Sequence, residues 1–393
     1  MNKNGFIIEF INPGTDFAII LRKDYRRLYF YYSNDVILDV TRHLNGNLIK
    51  IKEFSIPIYR FIAPSVAFPC YVAYDLDEYV KFLLEHVKNK IRNKRILLSH
   101  SGGKDSTVSL IILLELKKYV NFDFTVTYSH VPFLESERHM RFVERVSQKL
   151  GIEIEMLEAP RDIFKKSLKE MGLPYRGFRW CTYLKIKPVK QRKKELKADF
   201  EVVGDRISEG FKRFSSLVQY ALQRTFISGK QFRPVYLLTL LDIIKIVRER
   251  DLVHPDYLRG MTRISCDLCP YRPVYEINEL FHEVEDPGFI EQILREEYKR
   301  LYSGIASFED YMTYALWRYH PDQARTIMKI RKNFNEHLDA YEKALLKNFR
   351  LKLKTPWANR IPEASKIEID VLIHLLKQLA KKPKYTVIPI EEI

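Results

Sequence analysis

Eight consecutive residues, Ser99-His100-Ser101-Gly102-Gly103-Lys104-Asp105-Ser106, combine small, flexible and charged groups in an order suited to holding an anion. Adjacent glycines let the backbone curl tightly, with its N–H groups turned inward as an anion cradle. Lys104 adds a mobile point charge, and Ser101 and Ser106 add hydroxyl donors. Asp105 is suited to orient the loop or a Mg²⁺ ion on the bound phosphates. The run predicts a phosphate- or pyrophosphate-binding loop contacted through Ser99, Ser101, Gly102, Gly103, Lys104, Asp105 and Ser106. It is not a Walker A loop, because the Gly-x-x-x-x-Gly-Lys-Ser/Thr spacing is absent. Farther on, Arg206 follows Gly204 at the end of an apolar run, and Arg213 lies in the next turn. Their planar forks suit bidentate contact with phosphate or sulfate.

A second chemistry lies in the cysteines. Cys266 and Cys269 form a Cys-x-x-Cys pair, and 84 residues separate Cys266 from Cys181. A thiolate-rich set suits an iron–sulfur cluster or zinc. Zinc would need a fourth ligand, for which His254 and Asp267 are the candidates. Cys70, between Pro69 and Tyr71, reads as a small buried residue.

The elements that must position these groups follow from apolar patterning. Strand 95–99 leads into the loop, and a helix begins near Ser106 and runs through Leu116. Strands 124–128 and 152–157 precede helices 135–150 and 161–172. Strand 200–203 precedes Gly204, and a short strand near Pro234–Tyr236 precedes helix 240–250. This alternation predicts an α/β domain with a parallel sheet covered by helices on both faces. Ligands in such sheets bind at the carboxyl ends of the strands, where the loop falls. Residues 1–88 are expected to form a separate β-rich module with strands Phe6–Ile11, Phe17–Leu21 and Leu28–Tyr32 and a helix from Asp75 to about Lys90. The α/β domain would span 89–275. A mostly helical region would occupy 276–393, with apolar spacing in Phe289–Leu301, Tyr311–Trp317, Ala324–Phe334 and Val371–Leu379. The stretch 351–366, with Pro356 and Pro362, reads as a linker or strap.

Composition sets the wider frame. The 393 residues suffice for two or three domains, and no apolar run approaches the length of a membrane span. Four cysteines are no disulfide framework for such a length, which favours a reducing compartment and a cytoplasmic setting. Abundant Lys, Glu, Ile and Tyr with sparse Gln hint at a thermophilic source. The net charge is +16, and its excess is concentrated: residues 161–250 hold 22 lysines and arginines against 9 acids, while 271–393 hold 20 against 19. A basic segment behind a phosphate loop favours a polyanionic partner, either a nucleotide or a nucleic acid.

The order Ser-Gly-Gly-Lys-Asp-Ser after a strand resembles the PP-loop of the ATP pyrophosphatase superfamily. Three further segments resemble its phosphoadenosine phosphosulfate (PAPS) reductase-like branch. Arg179-Trp180-Cys181-Thr182-Tyr183-Leu184-Lys185-Ile186-Lys187-Pro188 is similar to the family's Arg-x-Cys-Cys-x-x-Leu-Lys-x-x-Pro, with Thr182 replacing the second cysteine. Gly204-Asp205-Arg206-Ile207-Ser208-Glu209 with Arg213 is similar to Gly-x-Arg-x-x-Glu-Ser-x-x-Arg, with the Ser and Glu in swapped order. Tyr257-Leu258-Arg259-Gly260 and Arg263-Ile264-Ser265-Cys266-Asp267-Leu268-Cys269-Pro270 are similar to the closing Tyr-x-x-Gly…Arg-x-Gly-Cys-x-x-Cys-Pro. Together these segments cover residues 95–275. The resemblance implies an adenine-nucleotide α-hydrolase-like core, and it implies ATP with Mg²⁺, or PAPS or adenylyl sulfate, as the nucleotide. It places Tyr128–Val131 where relatives contact adenine and ribose.

The resemblance also implies roles. Lys104, Asp105 and Arg206 would act on the phosphates, with Gly204 and Arg213 beside them. Cys181, Cys266 and Cys269 would hold a [4Fe–4S] cluster, or zinc, with three of the family's four cysteines present. Classical sulfonucleotide reduction uses a further cysteine near the C-terminus, and this sequence has none after Cys269. The leading expectation is therefore ATP-dependent sulfur transfer, with a donor protein or sulfide as sulfur source and tRNA or DNA as acceptor. The alternatives are a PAPS or adenylyl-sulfate reductase with the cysteine supplied in trans, and a non-catalytic nucleotide- or nucleic-acid-binding protein.

Overall fold

Alternating strands and helices from residue 95 onward build one six-stranded sheet in the computed structural model. The structure describes strands between residues 17 and 57, residues 76–333 apart from 210 and 262, residues 357–358, and residues 369–380. Before the main domain, Phe17–Leu21 (β1), Arg26–Tyr31 (β2) and Ile37–Asp39 (β3) form an antiparallel sheet. Leu44–Asn45 (β4), Leu48–Ile51 (β5) and Phe54–Pro57 (β6) form another. The expected strand Phe6–Ile11, Cys70 and most of the 351–366 strap lie outside the described residues.

The main sheet contains Arg95–Ser99 (β7), Asp123–His130 (β8), Ile154–Glu158 (β9), Phe200–Val202 (β10), Ile227–Ser228 (β11) and Gln231–Phe232 (β12), in the order β11-β12-β10-β7-β8-β9. All neighbours are parallel except the β11–β12 edge hairpin. The expected strand at Pro234–Tyr236 is not there. Gln231–Phe232 pairs with β10 instead, and Pro234, which has no N–H, lies in the turn that follows. The order along the sheet reverses between β7 and β10. Loops leaving those two strands diverge and open a crevice, the general ligand position of doubly wound sheets.

Helix Leu76–Ile91 (α1) buries Tyr79, Val80, Leu83 and Val87 in the same core as the sheet. Thus the stretch expected to close the β-rich module packs on the α/β domain. Lys104–Lys117 (α2) starts at the loop and buries every residue from Ser106 to Leu113. Its apolar residues surround the axis, as befits a helix covered on all sides. Thr107 and Ser109 satisfy their hydroxyls on the Gly103 and Asp105 carbonyls, at 3.0 and 2.8 Å. Glu137–Leu150 (α3), Arg161–Met171 (α4), Trp180–Glu195 (α5), Phe211–Leu222 (α6) and Leu240–Glu249 (α7) complete the layers.

A second core lies beside the first. Val131, Phe133 and Leu134, just beyond β8, pack with Leu268, Ile277, Ile290, Trp317 and Met328. Within the stretch expected to be mostly helical, the described residues form helices 287–297, 308–313, 321–333 and 369–380. Left-handed Ala315, at φ 44°, divides Tyr311–Trp317 into two short turns. Among the described residues, no helix is long and apolar enough to cross a membrane.

Candidate functional site: a phosphate loop against a three-cysteine arm

β7 delivers the chain to the sheet's carboxyl edge at Ser99, and α2 carries it away from Lys104. The turn between them needs one left-handed residue, supplied by Gly102 at φ +73°. His100 fixes this turn from below. Its Nδ1 accepts from the Gly102 N–H at 3.2 Å, so Nε2 carries the proton toward Thr107 Oγ1 at 3.1 Å. Burial lowers the His100 pKa to about 4, which keeps the ring neutral. Ser106 Oγ accepts the Ser101 N–H at 3.1 Å. The Gly103 and Lys104 amides make only long bonds, to Ser101 Oγ at 3.4 Å and to Tyr257 OH at 3.3 Å. These donors at the head of a helix would gain most from a phosphate oxygen.

Charge converges at the mouth of the loop. Asp105 accepts from Lys104 Nζ at 2.6 Å and from Arg206 Nε at 2.5 Å. Burial opposes the charged form of Asp105, but Arg206 and Lys104 outweigh it and lower the carboxyl's pKa. Burial likewise opposes charge on Lys104, and Asp105, Tyr257 and Glu209 raise its pKa in spite of that. Gly204 brings the loop after β10 alongside: a Cβ there would lie 3.5 Å from Asp105 Cβ and 3.7 Å from the Ser106 amide. Arg206 therefore bridges the crevice from the second strand at the reversal. Arg213 does not reach the loop. It is half exposed on α6 and pairs with Asp205 at 2.7 Å.

The cysteines sit on two turns clamped together. Cys181 is the second residue of α5. Cys266–Cys269 close a turn through Cys269 N–H to Cys266 O, 3.0 Å. Fully buried Arg272 orders that turn, donating to the Cys266 and Ser265 carbonyls at 3.0 and 2.7 Å. Arg176 ties the segment before Cys181 to the Pro270 carbonyl at 2.8 Å, and Arg179 stacks on Tyr271. Burial pushes the Cys181 thiol up to about 11, with Cys269 adding to the effect. Burial, then Glu135, push Cys266 well above the ordinary thiol range against the pull of Lys185. Cationic donors are nonetheless aimed at sulfur: Lys185 Nζ lies 3.9 Å from Cys266 Sγ, and Arg263 Nη2 lies 3.5 Å from Cys269 Sγ.

Glu135 is the buried centre of this corner. It accepts from Tyr128 OH at 3.0 Å, the Val131 amide at 3.1 Å, Lys185 at 2.9 Å and Cys266 Sγ at 3.1 Å. Burial opposes its charge, but Lys185 and His130 hold its carboxyl well below the usual range. Sequence reasoning passed over Glu135, Arg263 and the role of Lys185. The available signal was a carboxylate directly after the apolar run Val131-Pro132-Phe133-Leu134.

His254 and Asp267, the candidates for a fourth zinc ligand, lie in one buried hydrogen-bond chain. The Asp256 amide donates to His254 Nδ1 at 3.1 Å, leaving His254 Nε2–H to face His139 Nδ1 at 3.3 Å. His139 Nε2 then reaches Asp267 Oδ1 at 3.1 Å, and Asp267 Oδ2 accepts the Ser136 amide at 2.8 Å. Every ring nitrogen is committed. Among the described residues, His139, His254 and Asp256 are the one set of His, Cys, Asp or Glu ligand atoms within 4.8 Å of one another. Within that set the two rings face each other at 3.3 Å, and the Asp256 carboxylate accepts from Arg138 Nε at 2.7 Å.

Loop and cysteines meet through one short segment. A Cβ on Gly102 would lie 3.7 Å from Ile264 Cγ2 and 4.0 Å from the His254 ring. Ile264 is two residues before Cys266, and Tyr257 contacts Lys104 from the same segment. The segment that leads into the Cys-x-x-Cys turn therefore packs against the loop.

Residues 95–272 match the family model described as the phosphoadenosine phosphosulfate reductase domain. An uncharacterized protein from Methanocaldococcus jannaschii is 31% identical over 217 residues, which make up 53% of this chain and 43% of that protein. The chain therefore spans less than half the length of this curated relative. Among solved structures, the U34-tRNA thiolase NcsA from Methanococcus maripaludis with its [4Fe-4S] cluster shares 17% identity over 59% of this chain and 80% of that one, at a TM-score of 0.38. The PAPS reductase from Candida auris, in complex with phosphate, shares 14% identity over 48% of this chain and 87% of that one, at a TM-score of 0.34.

Proposed function

With residues 95–272 forming a domain of the phosphoadenosine phosphosulfate reductase family in the PP-loop superfamily, we propose that the protein is an ATP-dependent sulfur-transfer enzyme. ATP with Mg²⁺ lies across the crevice between β7 and β10. A substrate oxygen attacks the α-phosphorus, and pyrophosphate leaves with its charge held by the loop amides, Lys104 and Arg206. A sulfur nucleophile, from a donor protein or sulfide, then displaces AMP. Asp105, paired with Lys104 and Arg206, would help to hold the Mg²⁺. The observation that carries this reading is that the segment leading into the Cys-x-x-Cys turn touches the phosphate loop, with Ile264 at Gly102 and Tyr257 OH at the Lys104 amide.

Cys181, Cys266 and Cys269 would hold a [4Fe–4S] cluster, with Lys185 and Arg263 offsetting the thiolate charge. Such a cluster, bound by three cysteines, supplies an iron site open to sulfur. The acceptor is a nucleic acid, tRNA or DNA, drawn by the basic segment. The work belongs in a reducing compartment such as the cytoplasm.

The family match also favours a second reading, reduction of PAPS or adenylyl sulfate with a thiol supplied by another chain. Anaerobically purified protein, incubated with ATP and Mg²⁺ plus sulfide and tRNA, should release pyrophosphate and AMP and contain iron and sulfide. Release of sulfite from PAPS or adenylyl sulfate, without pyrophosphate from ATP, would replace the first reading by the second.

A further inference from the structure

Helix α5 leads away from the cysteine corner. Its 16 residues begin with Trp180-Cys181 and end with Lys193-Lys194-Glu195, a run of about 24 Å. Along it opens a surface cleft of about 930 Å³ lined by Tyr183, Lys187, Lys190, Lys194, Lys197 and Lys230, among others. These five lysines are exposed, and none makes an ion pair with a carboxylate among the described residues. The acids nearby are already engaged. Glu201 pairs with Lys193, Asp199 with Lys94, and Glu195 with Arg192. Asp199 and Lys193 also line the cleft, each in an ion pair, and the remaining five lysines leave the lining with a cationic excess. Tyr183, in the first turn of α5, is 69% exposed and shares one helix face with Lys187, Lys190 and Lys194.

From this we infer that the α5 cleft is the track for a nucleic-acid strand, with phosphates along the lysines and a base stacked on Tyr183 at the N-terminal end of α5. A lysine row with an exposed aromatic is the pairing that single-stranded nucleic acid uses, since every base has a face to stack and every linkage a charge. A compact nucleotide would use only one end of so long a row. The length suits a stretch of about four nucleotides or more. The track deepens the acceptor part of the proposed function and rests on it for its biological sense.

The test uses the full chain and fluorescence anisotropy with a labelled single-stranded RNA of about 20 nucleotides at several salt concentrations. DNA of the same sequence and anionic phosphatidylglycerol vesicles serve as further probes. Wild-type protein is expected to bind RNA or DNA with a steep salt dependence. The triple variant Lys190→Glu, Lys194→Glu, Lys197→Glu should bind at least about tenfold more weakly and lose about 2 from its log–log salt slope. Tyr183→Ala should weaken binding severalfold with the slope unchanged. Reversal of three exposed lysines on α1, Lys81→Glu, Lys88→Glu and Lys90→Glu, makes the same change in net charge and should have little effect. Equal weakening by the α1 set, wild-type affinity in the α5 set, no nucleic-acid binding at all, or binding to vesicles only would each overturn the inference. Neutral Lys187→Gln with Lys230→Gln repeats the test on the cleft without charge reversal. Pyrophosphate release from ATP is read separately, so loss of that activity with RNA binding intact strikes the proposed reaction and not the track.

Discussion

The phosphate loop and the cysteine arm are neighbours of opposite preparation. At the loop the charges are already formed and paired: Lys104 and Arg206 converge on Asp105, and neutral His100 pins the turn. At the arm, burial raises the thiols of Cys181 and Cys266, while Lys185, Arg263 and Arg272 surround them with positive charge and donors. The first region is a finished receptor for an anion, its donors and charges set before phosphate arrives. The second holds its thiols protonated, and under the proposed function they would have to give up those protons for a metal centre to bind, because coordination requires thiolates. The same short segment, from His254 to Cys269, serves both.

Removing the loop's cation should break this contrast most severely. Lys104→Ala takes away the charge nearest the leaving pyrophosphate and leaves Asp105 facing Arg206 alone. Pyrophosphate release is expected to fall by about 10²-fold or more, with far-ultraviolet circular dichroism and iron content unchanged. Unaltered turnover would remove the loop from the reaction. Cys266→Ser is the reciprocal cut. It should lower bound iron and its visible absorption to a small fraction of wild type while ATP binding by the loop persists. Zinc in place of iron in wild-type protein would turn the arm into a structural staple.

Much of this was legible because it is local. The anion loop needs only a strand end, two glycines and a helix start, so Ser99–Ser106 could be read directly, and the parallel sheet followed from alternation. The surroundings of the thiols depend on contacts between distant segments. Lys185 and Glu135 are 50 residues apart, and Glu135 and Cys266 are 131 apart, so no spacing rule announces them. His254 and Asp267 looked available for zinc for the same reason: their partners His139 and Ser136 lie on α3 and at its N-cap. The edge hairpin was missed because two-residue strands carry too little alternation to register.

Acid should separate the two regions in stability. His100 and His254 are held neutral by burial, with pKa values lowered to about 4 and about 3. A group whose folded pKa is depressed binds fewer protons folded than unfolded. Its stabilisation is present above the unfolded value near 6.5 and is lost as pH falls toward the folded value. Each ring should cost on the order of 3 kcal/mol between about pH 6.5 and pH 4. Both lie beneath the loop, so urea titrations across this range should show steep loss of stability, and His100→Gln should flatten part of it. A wild-type curve that stays level to pH 4 would refute the neutral-ring assignment.

The smallest effects test the glycines of the loop against one another. Gly102 has φ +73°, whereas a Cβ there meets Ile264 and Val143 only at ordinary contact, 3.7 and 3.9 Å. Gly102→Ala should therefore cost backbone strain alone, about 1–2 kcal/mol, and pull the amides out of line. Gly204, across the crevice, has no positive φ, and its Cβ would rest at 3.5 Å or more from Asp105. Gly204→Ala should be nearly neutral in stability. Its added methyl stands beside the Ser106 amide, so its effect should appear as weaker nucleotide binding. Paired measurements of unfolding free energy and ATP affinity resolve the two. If Gly102→Ala loses only affinity and Gly204→Ala only stability, the division between a strained turn and a close approach is the wrong way round.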